Sequence, residues 1–432
     1  MIRLRTCEED RAGTVDAIFV VGTESRGDGS VRPRDQQVEK PPTIDRIWGI
    51  YRGVGDVSLP VQLIRAKWKA TMKTFAPVGF LLLLIPFCHG RILNSLHTEA
   101  SQWRKLPCPN PDDILPCICT ADEDNQMDLD CSRVASEDEL ERVFSSTFPF
   151  STFRNLTVVD NAYLKTLKNQ SLGIASFTGV YIMNSVLEVV ESHALVNSFG
   201  TAQVINMQNN SLSSFPFETV FSFSSLVELD LSDNQLTFPA IGSESLLTLD
   251  LSNNQVDDVS ATAFSATPEI SEINLGGNQI SQIPTGTFAG HHNLYHVNLE
   301  SNALTYLPEG AIQLTSSSEG TVILRNNQIA DVAVNSITDV SGGNVDISNN
   351  VLKALNEDVF RPILAEGTAL DIKGPDYNLL GPLDNPLTCG CDIAWLIRDE
   401  NLLKLVAEGA ACYDEELLVD LDPGMFDALG CP

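Results

Sequence analysis

An α/β solenoid is the fold this sequence predicts: a curved parallel β-sheet of about ten repeats, closed at each end by a disulfide-stapled cap. Three observations predict it. One eleven-residue phrase returns four times between Leu226 and Leu304 at nearly constant spacing. That spacing projects in both directions to about ten units. Eight of the ten cysteines fall in two blocks that bracket those units, with none in the 257 residues between Cys131 and Cys389. Each unit of such an array buries its apolar side only against its neighbours, so 432 residues form one growing body rather than the two or three domains that length alone suggests.

Residues 1–71 carry no sustained helical or strand period and read as a leader, either upstream sequence wrongly joined to the chain or a cytoplasmic extension. Met72–Gly90 then reads as a secretory signal peptide. It has one cation, an apolar run of 13 residues (Phe75–Phe87), and small Cys88 and Gly90 before the cleavage point. The apolar run is too short to span a bilayer, which takes about 20 residues. The reading predicts translation from Met72 and a mature chain from Arg91, in which 14 basic residues face 47 acidic ones, a net charge of −33. For the whole chain the figure is −30. Such acidity excludes nucleic acid, whose phosphates need clustered Lys and Arg, and suits a basic protein partner or simple solubility.

Residues 91–131 form the first cap, with Cys108, Cys117, Cys119 and Cys131. Two even-numbered cysteine groups at the ends of an array imply disulfides and an oxidising compartment. Neither block has C-x-x-C or a His at ligand spacing, which argues against zinc. The acidic run Asp122–Asp130 has Met127 where a calcium loop needs Gly, so it predicts a solvated turn. Ser136, with Glu139 three residues on, predicts the capped start of a short amphipathic helix.

The array spans 132–374. Its phrase reads Leu226-Val-Glu-Leu-Asp-Leu-Ser-Asp-Asn234-Gln-Leu236, and recurs at Leu246–Val256, Ile270–Ile280 and Leu294–Leu304. The template L-x-x-L-x-L-x-x-N-x-L is the leucine-rich repeat. Its landmark residue projects to Asn161, Ser185, Asn210, Asn234, Asn254, Asn278, Asn302, Asn327 and Asn350, and a tenth strand falls at Leu370-Asp-Ile372. The L-x-L alternation turns leucines inward and their neighbours outward on parallel strands. Stacked Asn side chains should bond the turning backbone. Phe264, Phe288, Ile312, Ile337 and Phe360 should plug the convex side, where Pro216, Pro284 and Pro308 suit loose return segments. The step from Asn234 to Asn254 is only 20 residues, so the convex layer should thin there.

Outward strand positions line up in columns on the concave face. Glu228, Asp230, Asp250, Glu272, His296 and Glu300 gather at its centre, and this acidic patch is the candidate partner-binding surface. Generic solvated charge is the rival reading. Asn155, Asn169 and Asn209 head N-x-[ST] sequons and are candidate glycosylation sites. A glycan on Asn155 would crowd the near end of the concave face. Phosphate-loop, dinucleotide and nucleophile-elbow motifs are absent. His291, His292 and His296 lack zinc-protease spacing. No cofactor, metal or catalytic residue is predicted.

The C-terminal cap, 385–432, opens Asn385-Pro-Leu-Thr-Cys389-Gly-Cys391-Asp-Ile-Ala-Trp395-Leu. The template expects its Asn at 375, so 375–384 reads as an insertion, either a surface loop or sequence wrongly joined to the chain. No apolar stretch follows Cys431, which favours secretion over a membrane-anchored ectodomain.

Both caps resemble those of extracellular leucine-rich-repeat proteins. That resemblance implies Cys108–Cys119, Cys117–Cys131, Cys389–Cys412 and Cys391–Cys431 disulfides, with Trp395 closing the core. From Cys108 to Cys431 the chain also resembles the crustacean family of oplophorus-luciferin 2-monooxygenase non-catalytic subunits, through Asp122–Cys131, Phe215-Pro-Phe-Glu218, Gly286–Gly290, Val359-Phe-Arg-Pro362 and Cys389–Trp395. This implies a secreted, non-catalytic protein that associates with a small catalytic luciferase-like subunit. The alternative is an extracellular recognition protein for cell-surface or microbial ligands.

Overall fold

A computed structural model describes residues 107–315, 319–373 and 385–432. The expected leader, signal peptide and inserted loop lie outside the described residues. Those described belong to a single compact unit, Gly90–Pro432.

Its spine is a twelve-stranded sheet. We number its strands β1 (Ile118–Ala121), β2 (Met127–Asp130), β3 (Thr152–Val159), β4 (Ser176–Met183), β5 (Val204–Asn206), β6 (Glu228–Asp230), β7 (Thr248–Asp250), β8 (Glu272–Asn274), β9 (His296–Asn298), β10 (Thr321–Ile323), β11 (Asn344–Asp346) and β12 (Ala369–Asp371). β1 and β2 pair antiparallel, and every later neighbour pair in the sheet is parallel. β3 to β12 are the ten expected repeat strands. The first cap extends the sheet by a hairpin, because β2 pairs with β3. Central strands β6 to β9 alternate buried middle residues with half-buried flanks, the period of two that L-x-L encodes.

Parallel strands this short leave many backbone groups unsatisfied at each turn, and the Asn column answers them. Asn254 Nδ2 donates to the carbonyls of Leu231, Leu251 and Ser252, while its Oδ1 accepts the Leu236 N–H from the preceding repeat. Asn234, Asn278, Asn302, Asn327 and Asn350 repeat the arrangement. Ser185 is the exception. Its hydroxyl donates to the Met183 carbonyl, and Asn161 compensates by accepting from its own Tyr163 and Leu164 N–H groups. Asn385 supplies the tenth rung, donating to Ile347 and Ile372 and accepting from Leu352. The rung therefore comes ten residues later in the chain than regular spacing places it.

On the convex side the expected plugs are buried: Phe264, Phe288 and Ile312 completely, and Ile337 and Phe360 nearly so. Pro216 precedes a 3-10 turn at Phe217–Ser222, and a proline-containing helix, Glu357–Ala365, follows the ninth landmark. The short repeat after Asn234 carries no helix, as its length dictates. Phe238 nonetheless keeps the aromatic column continuous, with its ring centroid 5.4 Å from those of both Phe217 and Phe264. In several repeats a small residue precedes the convex plug: Ala194, Ala263 and Ala311 stand in that buried slot, while Thr287 and Val359 stand there before Phe288 and Phe360. Ser171 and Ser336 fill it too, with hydroxyls that find no partner.

His291 is 3% exposed, and its Nδ1 lies 3.2 Å from the Thr267 carbonyl oxygen. Burial holds its pKa below the ordinary value; neighbouring His292 adds to the effect, and the Thr267 hydrogen bond opposes it. A histidine whose folded pKa is lowered stays neutral while the unfolded chain takes a proton. Stability should therefore fall as pH drops from about 6.5, the ordinary histidine value, toward the lowered folded one. Urea midpoints measured between pH 7.5 and 5 should show this loss, and His291→Asn should flatten that segment of the curve.

Each cap holds two disulfides: Cys108–Cys119 and Cys117–Cys131 at the start, Cys389–Cys412 and Cys391–Cys431 at the end. Behind the first, Ser136 caps the helix Glu137–Phe144 by accepting the Glu139 N–H, and Glu139 reaches back to the Ala135 N–H. Trp395 closes the far end, with its Nε1 donating to the Leu355 carbonyl and Arg361 over its ring. The exposed edge of β12 is covered by the second cap, where Leu370 exchanges backbone hydrogen bonds with Leu405 and Ala407.

Candidate functional site: the concave face

The sheet register decides which side chains stand together. Glu228, Thr248, Glu272 and His296 are direct neighbours across β6 to β9. Asp230, Asp250, Asn274 and Asn298 form the next line along the same strands. Adjacent strands lie about 4.8 Å apart, so Glu228 and Glu272 are separated by roughly 10 Å. All six residues of the sequence-derived patch are half-buried on this face. Glu300 stands apart from both lines, two residues beyond the end of β9.

Their surroundings differ. Asp230 Oδ1 accepts from the Ser232 N–H (3.0 Å) and hydroxyl (2.7 Å), and its Oδ2 from Asn206 Nδ2 (2.9 Å). Asp250 is held the same way by Ser252 and Asn274. These two carboxylates stitch neighbouring repeats together. Glu272 accepts from the Tyr295 hydroxyl, a contact that raises the tyrosine pKa. Glu300 is paired with Arg325, whose pKa rises chiefly through that hydrogen bond. Among the described residues, Glu228 and His296 make no side-chain hydrogen bond or ion pair.

The near end of the face is differently built. Arg154 bridges Asp122 and Asp128, and Asn155 Nδ2 donates to Asp128 Oδ1 at 3.0 Å. These hydrogen bonds, that to Asp128 first, hold the Arg154 pKa above its usual value. The Asp122 carboxylate also accepts from the Asp124 and Gln126 N–H groups, and the Gln126 bond is the largest cause of its lowered pKa. The acidic turn is thus an organised, partly neutralised corner rather than a merely solvated one.

Arg325 and Tyr295 were missed in the sequence, although both signals were present. Arg325 stands two residues before Asn327, as Glu300 stands two before Asn302, and the two align across adjacent repeats. Tyr295 lies one position before the outward column that was read. Chemically the centre of the face offers carboxylates, amides, one imidazole and the Tyr295 hydroxyl at fixed spacing. Among the described residues, no group of three or more His, Cys, Asp or Glu could hold a metal ion. None of the described helices is long and apolar enough to cross a membrane.

No family model matches the chain. The oplophorus-luciferin 2-monooxygenase non-catalytic subunit of Oplophorus gracilirostris is 36% identical over 354 residues, spanning 80% of this chain and 95% of that relative. Among solved structures, a chain of the octameric complex of Latrophilin 3, Unc5D and the leucine-rich-repeat FLRT2 superposes with a TM-score of 0.56 at 20% identity. The match covers 73% of this chain and 99% of that one, and it is a likeness of fold.

Proposed function

The chain belongs to the family of the oplophorus-luciferin 2-monooxygenase non-catalytic subunit, and from that premise we propose that it is a secreted, non-catalytic subunit that binds a protein partner on its concave face. The partner in this reading is a small catalytic subunit of a luciferase-like complex. The observation that carries the reading is the register line Glu228, Thr248, Glu272, His296. Four adjacent strands present these side chains from a backbone fixed on both sides, so little order remains to be gained on binding. A net charge of −30 favours a basic partner and speeds its encounter. Four cap disulfides support an oxidising, extracellular setting.

Affinity capture from the native body fluid, with the full chain as bait, tests the reading. A stoichiometric small protein with the catalytic activity is the expected result. Retention of cells, microbial particles or glycans in its place would move the assignment to extracellular recognition.

A further inference from the structure

Asn169 sits in a surface turn after the strand Thr166–Leu167. Its backbone N–H donates to Glu191 Oε2 and its Oδ1 accepts the His193 N–H, both at 2.7 Å and both from the next repeat. The first holds the turn backbone, and the second fixes the side-chain amide and leaves Nδ2 without a protein partner among the described residues. Beside it opens a groove of about 310 Å³ lined by Asn169, Glu191, Ser192, Phe215, Pro216 and Glu218. Its carboxylates suit the hydroxyls of a sugar; Ser192 donates to Glu218 Oε1 at 3.2 Å, and the buried Phe215 and Pro216 form the apolar floor beneath. The other two sequons are placed differently. Asn155 spends its Nδ2 on Asp128 within the concave sheet, and Asn209 donates its Nδ2 to Asn184 Oδ1 at 2.9 Å.

We propose that Asn169 carries an N-linked glycan whose first sugar rests in this groove, while the concave face stays bare. In the transfer, Nδ2 forms a bond to the sugar C1 as the C1–O bond of a lipid-linked oligosaccharide diphosphate breaks. Nδ2 loses a proton, and the lipid diphosphate leaves with the electron pair. The glycan then shields the side of the first two repeats away from the sheet, which leaves the sheet face as the open surface for a partner. The proposal assumes passage through the secretory pathway, as the functional reading does, so its test supplies that passage.

Ser171 makes the modification separable from the fold. It provides the sequon hydroxyl, yet it is 3% exposed, that hydroxyl bonds to nothing, and alanine fills the same slot at 194, 263 and 311. The experiment is glycopeptide mass spectrometry of the full chain, sent into the secretory pathway of insect cells behind an added signal sequence. The expected result is a glycan on Asn169, lost in both N169Q and S171A, with S171A melting no lower than N169Q, which also loses the His193 hydrogen bond. An amidase that hydrolyses the Cγ–Nδ2 amide bond, leaving Asp at 169, should release this glycan several-fold more slowly from the native chain than from the unfolded one. A bare Asn169, a glycan retained in S171A, or equal release rates would overturn the proposal.

Discussion

Asn278→Asp should lower the stability of the folded array by about 3–5 kcal/mol at neutral pH, the cost of leaving a buried charge uncompensated. The substitution keeps the size of the side chain and changes only its hydrogen-bonding sense. Asn278 Nδ2 now donates to the carbonyls of Leu251, Leu275 and Gly276 at 2.9–3.2 Å, and its Oδ1 accepts the Val256 N–H. A carboxylate still accepts from Val256, but it turns a second oxygen toward three carbonyl oxygens with no proton between them. Repulsion and burial raise the folded pKa of such an acid above its unfolded value near 4. Stability should then recover as pH falls through the raised folded pKa, where the protonated acid donates again. Urea midpoints at pH 7 and pH 5 check this: the penalty should be smaller at pH 5. A penalty below about 1 kcal/mol that ignores pH would mean that the ladder contributes little net stability.

That ladder also shows why so much of the fold was legible. The phrase spells out strand, turn and rung together, so ten strands and eight of nine projected Asn rungs followed from spacing alone. The pairing of the cap cysteines did not follow from spacing, which leaves several connectivities open; it came from the resemblance of the caps. What spacing could not supply was compensation. Ser185 breaks the column, yet Asn161 turns its carbonyl oxygen on its own backbone. The repeat after Asn234 lost its convex turn, yet Phe238, only four residues past the landmark, still bridges Phe217 and Phe264. Nor did the pattern show that the first cap would add a hairpin to the same sheet, since β2 carries no copy of the phrase.

The candidate site was legible as a set of columns and less so as a set of charges. Counting outward residues placed Glu228, Thr248, Glu272 and His296 in one line, as the register has them. It could not weigh what each carboxylate already does. Asp230 and Asp250 are tied to Ser232 and Ser252, and Glu300 is matched by Arg325 from the next repeat. Side-chain pairing across repeats depends on rotamers as well as spacing, and only the folded chain fixes those. The proposed binding surface accordingly rests most on Glu228 and His296, and on Glu272, which is engaged only by the Tyr295 hydroxyl.

Reversing that charge is expected to have the largest effect on partner binding. In Glu228→Lys/Glu272→Lys, the change falls on half-buried side chains whose backbones are held by the sheet, so the fold should persist. For comparison, Asp257→Lys/Asp258→Lys makes an equal change of net charge on exposed residues outside the strands. Two such reversals at a contact surface should weaken binding on the order of tenfold or more, mostly through loss of electrostatic complementarity. The decisive measurement is the dissociation constant of the captured partner for the two double variants, side by side at one salt concentration. The account predicts a loss confined to Glu228→Lys/Glu272→Lys. Equal losses in both would reduce the interaction to net charge, and unchanged binding in the concave variant would contradict the concave site outright.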